Sequence, residues 1–341
     1  MYDKKCHFYF MEELIIFKKS RKKLEKLSNL LNTEDLDSII NILNSDNFCK
    51  NDQYLNEFLT MLSHFSNYRP KSFELTKSII SWLQLNNEIH EEVLSEHIRR
   101  FQLNNENDED YQNQDIKTDN IGNTHFVPIH KIIEDDDIES FQNYVSTSNA
   151  DLNSIVKIDS YDNKYIKENE SFIEYAALFG SINIFKYLWM NNAEIIESDL
   201  PEYAVAGGCS DIIHLVEEKL PFSSPMCLEA AVYCFRNDLI PYLFEISGST
   251  FNYNALSQSI ASYNYSAFFY MIENQQHVIY LTSDTYAETI FHDIISENDV
   301  VKILAHFPDV DINCRSKIGI FYHYFIILRF IMQSQLMILM S

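Results

Sequence analysis

The stretch that decides the fold is Ser171-Phe172-Ile173-Glu174-Tyr175-Ala176-Ala177-Leu178-Phe179-Gly180, followed by Ile184-Phe185-Lys186-Tyr187-Leu188 and closed by Asn192-Ala193. Two alanines inside an apolar run predict a first helix that another helix can approach closely. The glycine supplies the left-handed backbone that a tight reversal needs. A second apolar run at helical spacing follows, and Asn192 suits the same left-handed conformation at its end. The design returns 28 residues on as Tyr203-Ala204-Val205-Ala206-Gly207-Gly208, and after another 27 as Ala230-Ala231-Val232-Tyr233-Cys234-Phe235. Weaker copies run from Ser259-Ile260-Ala261 to Met271, end at Val301-Lys302-Ile303-Leu304, and begin at Pro128-Ile129-His130. One such hairpin cannot bury its apolar face alone, so neighbours must stack into a continuous core. The expected class is all-α, an α-solenoid of about six stacked helix pairs.

At these residues the chain resembles the ankyrin repeat. Val127-Pro128-Ile129-His130 keeps the Pro and His of its Thr-Pro-Leu-His signature, and residues 171–193 follow the full template in register. The departures are specific. Leu200-Pro201-Glu202 and Cys227-Leu228-Glu229 stand in for Pro-Leu-His, and Phe235, Tyr263 and Ser296 stand where a glycine belongs. The period is about five residues short of 33, which implies clipped hairpins between Asn191 and Leu281. The resemblance covers residues 123–317 and is lost after Gly319. The wider arrangement is also similar to a protist-expanded ankyrin family of unknown function with a helical N-terminal region. The resemblance implies a protein–protein interaction module that recognises its partner on a concave face, with His130 in a structural role. The positions after the inner alanines face that groove, so Phe179, Tyr233 and Leu178 are candidate contacts and Asp162 lies on the rim. The aromatic side chains equally suit gaps between irregular repeats.

Outward from the repeats, residues 1–103 read as a helical N-terminal region. Its stripes are Leu24, Leu27, Leu30 and Leu31; Leu36, Ile39, Ile40 and Leu43; and Phe58, Leu59, Leu62 and Phe65. Further helices are expected at 72–85 and 88–103, after a turn at Asn67-Tyr68-Arg69-Pro70; the segment Tyr68-Arg69-Pro70-Lys71 belongs to the wider family resemblance. The first stripe's segment carries Lys18, Lys19, Arg21, Lys22, Lys23 and Lys26, and its lysines are read as a solvated face, with a membrane patch as the alternative. Residues 104–122 form an acidic, Asn-rich linker with too little apolar surface to order itself. The stretch 318–340, from Ile318 to Met340, is an apolar tail read as a truncated or divergent last repeat.

The chain has 341 residues, only 6 Gly, and a formal charge of −24, which repels a phosphate backbone and argues against nucleic acid. Six scattered Cys without a close pair fit a reducing, cytoplasmic setting. No nucleotide, metal or hydrolase motif occurs. Glu134-Asp135-Asp136-Asp137 is read as a solvated turn, His90 and His97 as surface residues, and Cys209, Cys227 and Cys234 as packing residues. The expectation is therefore a non-enzymatic interaction scaffold with no cofactor, no metal and no small-molecule substrate, and with an unidentified protein partner. The alternative is a membrane-tethered adaptor anchored by residues 318–340. An enzyme with a dispersed site is a third reading.

Overall fold

The computed structural model of the chain describes residues 4–45, 48–86, 127–156, 165, 170–195, 199–248 and 253–274. Among these residues it is all-helical, with 14 α-helices, a 3-10 turn at Phe48–Lys50 and no strand. A single antiparallel bridge joins Ile155 to Ser171. The expected helix at 88–103, His90, His97, the linker, Asp162, the last repeat copy and the tail lie outside the described residues. No helix among the described residues is long and apolar enough to cross a membrane.

Four helices make the N-terminal region: α1 (Lys4–Thr33), α2 (Leu36–Leu43), α3 (Asp52–Tyr68) and α4 (Phe73–Leu85). The carboxylate of Asp35 and the side-chain carbonyl of Asn51 start α2 and α3 by accepting from the amides of Ser38 and Tyr54, at 3.0 and 3.1 Å. These bonds satisfy donors that the first helical turn leaves open. Leu24, Leu27, Leu31, Ile39, Leu43, Phe58, Leu62 and Phe65 turn inward and are buried, as the spacing requires.

Five helical hairpins follow. They are α5 (Ile129–Glu134) with α6 (Ile138–Ser148), α7 (Phe172–Leu178) with α8 (Ile182–Met190), and α9 (Leu200–Gly207) with α10 (Ser210–Glu217). The last two are α11 (Pro225–Tyr233) with α12 (Ile240–Ile246), and α13 (Tyr253–Ala261) with α14 (Tyr265–Asn274). Each first helix packs on the next first helix, from α5 through α13; α6, α8 and α10 pack likewise, and α12 packs on α14. Ala176, Ala177, Ala204, Ala206, Ala230 and Ala231 are all buried between the first helices. The approach is closest at Gly207, where an added Cβ would lie 2.1 Å from the Ala177 carbonyl oxygen.

The reversal between the two helices repeats in detail. Asp136, Gly180, Gly208, Phe235 and Tyr263 all take φ between +53° and +66°. The next residue's amide, in Asp137, Ser181 and Arg236, donates to the carbonyl five residues earlier and closes the first helix. That residue's side chain also reaches back to the preceding hairpin. Ser181 Oγ donates to the Ile133 carbonyl, Arg236 Nε to Ala206 at 2.9 Å and Nη2 to Gly207, and Asn264 Nδ2 to Val232 at 3.3 Å. Each such bond adds a donor to a carbonyl in the last turn of the previous first helix, where the regular intrahelical partners run out. Stacking is thus built from both apolar burial and a polar rung. Phe235 and Tyr263, which replace the expected glycine, adopt glycine's conformation at a cost of about 1–2 kcal/mol each.

Candidate partner-binding surface

The structure separates the residues that the repeat pattern groups together. Leu178 ends α7 and is fully buried, as is the whole of α7 and residues 200–206 of α9. Part of the cover over α9 is Tyr165, whose hydroxyl donates to Glu202 Oε1 at 2.5 Å and whose ring meets Tyr203 edge-on at 6.2 Å. Tyr203 in turn donates to Glu170 Oε1 at 3.0 Å. The flanks of these two helices therefore line no open groove. Phe179 stands one residue beyond Leu178, half-buried at the reversal, with its ring 4.6 Å from that of Tyr175.

Tyr233 is half-buried because the N-terminal region packs on it. Its ring lies 5.0 Å from Tyr68, at the end of α3. The adjoining Arg69 is 3% exposed and donates through Nη1 to the carbonyls of Cys234 and Phe235, at 3.2 and 3.1 Å. Its Nη2 donates to Asn32 O at 2.9 Å and Glu34 Oε1 at 3.0 Å. Phe65 meets Phe235 edge-on at 5.8 Å. Burial lowers the Arg69 pKa, partly offset by Glu34, and burial raises that of the Tyr233 hydroxyl. The sequence singles out the Tyr68-Arg69-Pro70-Lys71 segment, yet nothing local in it names α11 as its target.

A second junction joins α1 and α3 to the last described hairpin. Arg21 and Glu57 pair at 2.9 Å with both side chains buried, and the Tyr265 hydroxyl donates to Glu57 Oε2 at 2.7 Å. Burial pushes the Glu57 carboxyl up, against the opposing effects of Tyr265 and Arg21, and it pushes the Tyr265 hydroxyl far up. Asn237 donates to Ser28 O at 3.1 Å, and Lys18 pairs with Glu273 at 2.7 Å. Sequence periodicity finds each of these helices, but not this network, which ties α1 and α3 to residues more than two hundred positions later.

The remaining chemistry-bearing groups have structural partners. Asp137 caps α6 by accepting from the Ser140 amide at 3.0 Å. Asp136 accepts from the amides of Asn183 and Ile184, both at 3.0 Å, and so caps α8 from the neighbouring hairpin. Glu134 accepts from the Tyr175 hydroxyl at 2.6 Å. Burial pushes the thiols of Cys227 and Cys234 up to about 12, so neither is a thiolate near neutrality. Among the described residues no group of three His, Cys, Asp or Glu side chains is arranged to hold a metal ion. No protein-family model matches the chain, and no curated protein matches it.

Proposed function

We propose that the chain is a non-enzymatic protein–protein interaction scaffold built on a degenerate ankyrin-type solenoid. The observation that carries this reading is the run of five hairpins packed first helix on first helix, with left-handed reversals at Gly180, Gly208, Phe235 and Tyr263 spaced 27 or 28 residues apart. Repetition of this kind builds an extended face from neighbouring units in place of a single enclosed site. The contact point that the geometry favours is the reversal at Phe179. Leu178 is interior, and Tyr233 is already engaged by Tyr68. At −24 the chain favours a partner surface that is basic or apolar.

Affinity capture with the full chain tests the reading, with Phe179→Ala and Phe179→Glu as the variants. A protein retained by the wild type and lost with both variants, at unchanged helicity by circular dichroism, supports it. Retention that is indifferent to both variants moves recognition away from this reversal. Turnover of a small molecule by the purified chain would contradict the non-enzymatic reading outright.

A further inference from the structure

Helix α1 carries a face that the other described residues leave uncovered. Ile15 and Ile16 are 61% and 63% exposed, although Leu14 and Phe17 beside them are buried. Lys19, Lys22 and Lys26 are exposed as well and make no hydrogen bond or ion pair among the described residues. At 100° per residue, Ile15, Lys19, Lys22 and Lys26 fall within one stripe about 60° wide, and Ile16 lies about 60° beyond its edge. Two other cations of this segment point elsewhere. Lys18 turns to Glu273 and the ring of Phe269, and Arg21 turns inward to Glu57. The result is a narrow ridge, two bare isoleucines followed by a row of lysines, on a chain whose net charge is −24.

We propose that this ridge docks on an anionic lipid surface, with the lysines among the headgroups and the isoleucines at the acyl boundary. Two observations favour lipid over a protein partner. The cations on the ridge are all lysine, a residue depleted at protein–protein interfaces, whereas the arginine of the segment is withdrawn into the interior. The ridge is also a convex helix surface with its apolar residues at one end, the arrangement of a helix lying in a membrane interface. A soluble polyanion would be met by the lysines alone and would leave the isoleucines unexplained. The overall negative charge does not prevent docking, because charges more than about 8 Å from the contact are screened at physiological salt.

The experiment is flotation of the full chain with phosphatidylcholine vesicles, with and without phosphatidylserine, so that any contribution of residues 318–340 is common to every sample. Binding is expected only with phosphatidylserine and should weaken as salt rises. The triple variant Lys19→Glu, Lys22→Glu, Lys26→Glu should lower the partition coefficient at least about a hundredfold, near fivefold per lost cation. Ile15→Ser with Ile16→Ser should lower it about tenfold with the lysines intact. All five side chains are exposed, so thermal melting should stay close to wild type. The proposal is overturned by a wild type that ignores phosphatidylserine, by binding that survives both variants, or by isoleucine independence with full competition from heparin, which would mark a general polyanion site. A dimer lost in the isoleucine variant, without vesicle binding, would place a second copy on the ridge and overturn it equally.

Discussion

Arg69 closes the carbonyl end of α11 with a guanidinium contributed from 165 residues earlier in the chain. Nη1 holds the Cys234 and Phe235 carbonyls and also reaches Asn32 Oδ1 at 3.3 Å, and Nη2 holds the Asn32 carbonyl and Glu34. Replacing it by Met would leave those carbonyls buried without a donor. Arg69→Met should therefore lower the stability measured by urea unfolding by about 2–4 kcal/mol. Arg69→Lys should recover only part of this, because an ammonium lacks the fork that spans both segments. A neutral Arg69→Met would show that the N-terminal region does not dock as described. Residue-level reading of the sequence reached Phe235 and Tyr263 as the positions of missing glycines. It could not show that Phe235 keeps its place because its ring fills the contact with Phe65, a partner 170 residues away that no periodicity connects to it.

Within an element, sequence and structure agree most closely where the signal is local. The expected helix, glycine reversal and second helix of residues 171–193 appear as α7, Gly180 at φ +64° and α8, with Asn192 at φ +57°. The helix expected at 72–85 begins one residue later, with Ser72 as its cap. The candidate contacts were less readable, because exposure of Leu178 and Tyr233 depends on what covers the first helices. Tyr68 covers Tyr233, and Tyr165 forms part of the cover over α9, both from outside the repeat pattern. Packing between elements gives a sharp contrast between two glycines. Gly207→Ala drives a methyl into the Ala177 carbonyl and should cost about 3 kcal/mol, whereas Gly248→Ala meets open space and costs only about 1 kcal/mol for its φ of +82°. Equal effects would contradict the close approach of α7 and α9. Capping supplies a pH signature. The Ser140 hydroxyl and amide hold the Asp137 carboxyl below its ordinary value of 3.8. Its contribution to α6 is thus complete above that value and is lost as pH falls through the lowered one. The Ser140 amide resonance should titrate with a midpoint below 3.8, and a midpoint at or above it would remove the cap.

Across the whole molecule, hairpins stack on one another and the N-terminal helices clasp the last two pairs through Arg69 and the buried Arg21, Glu57 and Tyr265 network. The sequence divides the chain at an acidic linker, and composition alone gives no reason for the two sides to share polar contacts. Lys186, His214 and Pro241 each stand six residues past a left-handed reversal, on the second helices α8, α10 and α12, and all three are exposed. Spin labels at these positions in pairs read the stack directly, since packed helices lie about 8–10 Å apart. The account expects strong dipolar broadening for 186 with 214, a longer distance for 214 with 241, and the longest distance for 186 with 241, at least about 16–20 Å. Three similar distances, or a 186 to 241 separation no longer than the neighbouring ones, would mean that the hairpins gather around a common centre, and the stacked arrangement would be wrong.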